Sequence, residues 1–140
     1  MLILLHGWTV TADLNWFPVF DELGTRYRVI AFDHRGHGAG LRPRRRFRLD
    51  DCAHDVVAVA DALGVERFTA VGYSMGGPIA MLTWLHHRER VDALVLCATG
   101  CRFADRRAVH AQLAMFRPTS WLARALPRRV GQPMFDKVVA

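Results

Sequence analysis

Apolar positions fall along this chain in two alternating kinds of block. Short, nearly continuous apolar runs occupy Leu2–Leu5, Tyr27–Phe32, Arg67–Val71 and Val91–Cys97. Runs of that length without alternation predict strands buried on both faces. Between them, apolar residues recur at helical spacing. Over Asn15–Leu23 they are Trp16, Phe17, Val19, Phe20 and Leu23, with Gly24 as the stop. Asp50–Leu63 is the clearest helix: Leu49, Cys52, Ala53, Val56, Ala60 and Leu63 share one face, Asp50 or Asp51 can serve as N-cap, and Gly64 can end it. A third helix follows over Pro78–Leu85, with Pro78 in the first turn, where a missing N–H is tolerated. The order strand, helix, strand, helix, strand, helix, strand predicts an α/β fold, a parallel sheet of about four strands flanked by helices.

The pattern weakens after residue 100. Arg102–Phe116 is less clearly amphipathic and Pro118 interrupts it. A short second helix can run from Thr119 or Ser120 to Leu126, where Pro127 ends it. Residues 1–100 are therefore expected to form the core, and residues 101–140 to begin a helical cover over a site. Trp121 and Leu122 beside Arg124, Arg128 and Arg129 leave an interfacial anchor as the alternative reading of that tail.

Composition narrows the class. The chain has 140 residues, 51% hydrophobic and 23% charged, enough for one globular unit with a real core. No apolar run approaches the length of a bilayer span, and Leu2–Leu5 lacks the basic flank of a leader, so a cytoplasmic location is expected. The formal net charge is +6, carried by arginine, with Lys137 the one lysine. Its densest cluster is Arg42, Arg44, Arg45, Arg46 and Arg48, in a connection that contains Pro43. That reads as a solvated loop, so neither nucleic acid nor a membrane is expected as a partner. Cys52, Cys97 and Cys101 have neither the number nor the spacing of a disulfide framework or a zinc site.

Three polar interruptions carry the chemistry, each at the C-terminal end of an expected strand. Gly72-Tyr73-Ser74-Met75-Gly76-Gly77 has the G-x-S-x-G form between a strand and a helix. A turn that tight strains its central residue, glycines on either side remove colliding side chains, and the serine hydroxyl is lifted above the sheet. The new helix begins at once and turns its unpaired N–H groups toward the same point. His6-Gly7-Trp8 closes the first strand, where glycine permits close backbone approach. Asp33-His34-Arg35-Gly36-His37-Gly38 closes the second and reads as a structural loop, since two histidines alone do not complete a metal site.

Taken jointly, and in this order and spacing, the three motifs resemble those of the α/β-hydrolase family. The resemblance covers Leu2 to about Thr99. It implies that Ser74 is the nucleophile and that the backbone N–H groups of Trp8 and Met75 form the oxyanion hole. It also implies pocket walls that include Tyr73 and Phe103, with Trp8 and Met75 beside them, a small-molecule substrate with an ester-like or related carbonyl, and no cofactor or metal. Esterases, lactonases, C–C bond hydrolases and cofactor-free haloperoxidases share these motifs.

In that family the triad runs Ser, then Asp or Glu, then His. This chain ends before the last two and begins at the strand that carries His6-Gly7, so it is expected to be the central part of the fold, with its outer sheet edges open to self-association. Its own histidines do not replace the base. His86 and His87 lie about 18 Å along the helix from Ser74. His34 and His37 follow a strand two places away, about 10 Å from the nucleophile strand. His6 holds its loop, and His110, on the expected cover, could in principle fold over Ser74. A truncated inactive fragment, or a pseudo-hydrolase that binds a ligand or partner, is the alternative.

Overall fold

The computed structural model of the chain describes residues 1–42, 44 and 46–100. The expected cover over 101–140, with Phe103 and His110, lies outside them. The elements run β1 (Leu2–Leu5), α1 (Ala12–Trp16), α2 (Phe20–Gly24), β2 (Val29–Ala31), α3 (Leu49–Ala62), β3 (Phe68–Tyr73), α4 (Gly76–His86), one 3-10 turn (Arg88–Arg90) and β4 (Val91–Cys97). The strands form one parallel sheet in the order β2-β1-β3-β4, with Leu5 opposite Gly72 and Gly72 opposite Leu96.

Alternation along β1 explains why its sequence is apolar throughout. Ile3 and Leu5 join Cys52, Val56 and Ala60 of α3, Ile79 and Ala80 of α4, and Phe68 in one core. Leu4 turns to the other face, against Trp16 and Val71, with Phe20 and Leu23 of α2 packed alongside. Both faces of the strand exclude water, which is what a buried parallel strand needs.

Three expected details are corrected. The single helix over Asn15–Leu23 is two, α1 and α2, parted around Pro18, which has no N–H to continue the ladder. The N-cap of α3 is Arg48 rather than Asp50 or Asp51, which lie in the first turn. Leu63 is 45% exposed and falls off the apolar face; Gly64, at φ +66°, ends the helix there as expected. The chain at Arg42, Arg44, Arg46 and Arg48 is exposed, as a solvated loop should be. No helix among the described residues is long and apolar enough to cross a membrane.

Candidate active site

Three loops meet above the C-terminal ends of β1, β2 and β3. Ser74 leaves β3 at φ +49°, a left-handed conformation that a side-chain-bearing residue rarely adopts. Its N–H donates to the Cys97 carbonyl across 3.0 Å. Its carbonyl accepts from the Gly77 N–H at 3.0 Å and from the Thr99 hydroxyl at 2.7 Å. The flanking glycines are required by space. A Cβ on Gly72 would collide with the backbone of Gly76 and Gly77, and one on Gly76 with the Leu5 carbonyl of the neighbouring strand.

The His6-Gly7-Trp8 loop lies directly against this turn. A Cβ on Gly7 would come within 3.2 Å of the Tyr73 ring and 3.4 Å of Ser74 Cβ. His6 is fully buried and uses both ring nitrogens. Nδ1–H donates to the Gly7 carbonyl at 2.8 Å, and Nε2 accepts the His34 backbone N–H at 2.9 Å. That assigns the neutral Nδ1–H tautomer. The Gly7 carbonyl belongs to the same peptide plane as the Trp8 N–H, so His6 fixes where that N–H points. Asn15 fixes the preceding peptide: its Oδ1 accepts the Gly7 N–H at 2.9 Å. Among the described residues no acceptor takes the backbone N–H of Trp8 or of Met75.

Asp33 braces the loops from the side. Its Oδ1 accepts the Ala12 N–H and its Oδ2 the Ala39 N–H, each at 2.7 Å. Burial pushes the Asp33 carboxyl up, but those two N–H bonds outweigh it and the group lies below its ordinary value. Arg35 reaches α3 with a two-pronged fork to Asp55, both contacts 2.6 Å, and a third contact to Asp51 at 3.3 Å. Burial, reinforced by His37 nearby, holds the His6 imidazole below its ordinary value despite its bond to Gly7. His34 is pushed down to about 3, again chiefly by burial, and neither of its ring nitrogens has a partner among the described residues.

A cleft of about 530 Å³ opens beside Ser74, with Trp8 and Tyr73 at its mouth and Leu14, Trp16 and Val19 among its walls. Trp8 and Tyr73, both named above as pocket walls, line this cleft. The Met75 side chain is 6% exposed and packs into the core. Sequence reading missed Asn15, Asp55 and Thr99, each of which acts on a partner distant in the chain. Asn15 sits within an apolar-periodic run and carried no motif of its own.

Comparison with known proteins agrees with this architecture. The family model described as alpha/beta hydrolase fold matches residues 1–124, and the chain belongs to that family. It is 32% identical to a putative carbamate hydrolase, RutD, of Caulobacter segnis, over 86% of this chain and 57% of that protein. It is 42% identical to a 2-hydroxymuconate semialdehyde hydrolase of a Pseudomonas species, over 68% of this chain and 35% of that protein. Among solved structures, a hydrolase from Pseudomonas aeruginosa superposes with a TM-score of 0.73 at 30% identity, covering 81% of this chain and 43% of the other. The chain thus spans about a third to just over half the length of these relatives.

Proposed function

We propose that Ser74 is the nucleophile of a hydrolase acting on an ester-like or related carbonyl, with the backbone N–H groups of Trp8 and Met75 as its oxyanion hole. One observation carries this reading: the left-handed backbone of Ser74, at φ +49°, on a strand-to-helix turn against which Gly7 is packed. The strain serves no packing purpose in Ser74 itself, which is only half-buried, and strain of this kind gathers where a side chain must be presented. Attack of the Ser74 oxygen on a carbonyl carbon drives negative charge onto the carbonyl oxygen. Two fixed N–H donors stabilise that charge without reorganising. Carbamate hydrolysis, which the name of one relative prints, takes place at a carbonyl of this kind.

The general base comes from outside the described residues. His6 has both nitrogens engaged, His34 is buried behind it, His37 turns Nδ1 to the Arg35 carbonyl, and His54, His86 and His87 lie on α3 and at the far end of α4, none of them hydrogen-bonded to the Ser74 hydroxyl. The same observation favours a second reading, in which the cleft binds a ligand without turning it over. Labelling with a fluorophosphonate, read by intact mass, separates the two. It is run with and without added imidazole as an external base, beside Ser74→Ala. One adduct per chain, lost in Ser74→Ala, is the expected result. An adduct indifferent to that substitution, or none even with imidazole, overturns the proposal.

A further inference from the structure

Each of the two N–H groups assigned to the oxyanion hole shares a rigid peptide with a carbonyl that is itself held. For Trp8 the carbonyl is that of Gly7, and the buried His6 ring donates to it at 2.8 Å. For Met75 it is that of Ser74, and the Thr99 hydroxyl donates to it at 2.7 Å. In a trans peptide the C=O and N–H point in opposite directions across one plane. A bond that fixes the carbonyl therefore aims the N–H.

Thr99 reaches the Ser74 carbonyl through a departure from the sheet. The last paired residues of β3 and β4 are Tyr73 and Cys97. One step on, the Ser74 N–H still donates to the Cys97 carbonyl at 3.0 Å, as a parallel ladder requires. The next rung of that ladder would be the Thr99 N–H on the Ser74 carbonyl. Among the described residues that backbone bond is absent. Ala98, between the two partners, lies at φ +46°, a left-handed conformation that turns the strand aside. The Thr99 side chain takes the place of the missing rung. Its β-branching restricts the rotamers open to the hydroxyl, and it fills the space where a Cβ on Gly77 would go. The carbonyl's other partner, the Gly77 N–H at 3.0 Å, comes from the first turn of α4. One bond from the helix leaves the peptide plane free to tilt. A second, from beyond β4, removes that freedom.

We propose that Thr99 is a positioning residue for the oxyanion hole: its hydroxyl fixes the Ser74–Met75 peptide and holds the Met75 N–H toward the substrate oxygen, as His6 does for Trp8. The inference rests on the reading of Ser74 as nucleophile and of these two N–H groups as its donors. β1 and β4 flank β3 on opposite sides, so the two donors are aimed independently, one by the residue that ends β1's neighbour loop and one by the loop after β4. Thr99 acts through Met75 alone and carries no proton in the reaction.

The test is fluorophosphonate labelling of the whole chain with imidazole present, over a range of probe concentrations, so that affinity and maximal rate separate. The phosphoryl oxygen of the probe takes up charge as a carbonyl oxygen would. Thr99→Val keeps the shape and removes the hydroxyl, Thr99→Ala removes both, and Thr99→Ser keeps the hydroxyl. Rates are taken per folded chain, from a circular-dichroism melt of each variant. Thr99→Val and Thr99→Ala are expected to lose about tenfold or more in maximal rate at unchanged affinity, because a donor aimed away from the developing charge loses much of its effect. Thr99→Ser is expected to label close to the parent's rate. Maximal rates equal to the parent's in both variants without the hydroxyl, or a loss confined to affinity, overturn the proposal and leave Ser74 as the nucleophile. A loss that Thr99→Ser shares in full overturns it as well. A parent chain that does not label removes the nucleophile reading and this inference with it.

Discussion

The backbone N–H of His34 donates to the ring of His6 across 2.9 Å, and this one bond links two of the three loops that make the site. It holds His6 Nε2 as an acceptor, which leaves Nδ1 as the donor to the Gly7 carbonyl. The tautomer of a buried ring thus orients a peptide two bonds further on. His6→Ala strands the Gly7 carbonyl and the His34 N–H together. We expect a loss of about 2–3 kcal/mol in stability, and a fluorophosphonate labelling rate at Ser74 that falls more than the melting point accounts for. Unchanged labelling in the folded fraction would remove His6 from the positioning of Trp8.

Acid stability follows from the neighbouring ring. His34 has its folded pKa depressed to about 3, whereas the unfolded chain takes up that proton near pH 6.5. Between those values the unfolded state binds more protons, so stability rises with pH and is lost as pH falls from about 6.5 toward 3. This group alone contributes roughly 1.4 kcal/mol per pH unit over the window. His6, also held low, acts in the same direction. His34→Leu deletes two orphaned nitrogens. It should leave stability at pH 7 equal or higher by about 1 kcal/mol and flatten the acid limb of a denaturation series. An acid limb as steep as the parent's would sink the assignment.

The glycines of the elbow are not equivalent to glycines elsewhere. Gly72→Ala and Gly76→Ala would each drive a Cβ into backbone that cannot swing away, at an expected cost of about 3 kcal/mol or more. Gly24→Ala meets nothing within 4 Å and its φ is not left-handed. Inside α2 it should be neutral or stabilising by up to about 1 kcal/mol. Urea denaturation of the three variants checks the contrast.

Arg35 joins the second loop to α3 through a planar fork. Arg35→Lys keeps the charge and loses the two parallel contacts to Asp55. With both side chains about one-fifth exposed, the expected loss is about 1–2 kcal/mol. Amide exchange should quicken at Gly36 and His37, whose N–H groups are bonded within that loop. Protection unchanged there would mean the loop is held by Asp33 alone.

Much of the fold was legible because its signals are local. The extent of β4 was read to the residue, since an apolar run bounded by turn signals marks both ends. The elbow was legible for a related reason: glycine, serine and glycine at fixed spacing report a backbone that cannot be built otherwise. Other features depend on partners far along the chain. Arg48, not an acidic residue, caps α3 because Leu49 already packs against the core and starts the helix early. Asn15 and Asp33 hold loops 8 and 21 residues away, and no periodicity announces that. Met75 was expected to line the pocket with its side chain, but a residue that opens a packed helix has its side chain carried into the core.

The bond from the Thr99 hydroxyl to the Ser74 carbonyl spans 25 residues, and Gly77 has no side chain because Thr99 fills the space beside it. The Ser74 turn is therefore closed from behind by a residue that follows β4. On the ribosome, the Ser74 carbonyl and N–H would lack these partners until β4 and Thr99 had been added. Closure of the turn is then a late event in the life of the nascent chain, waiting on a residue that lies 25 positions after Ser74.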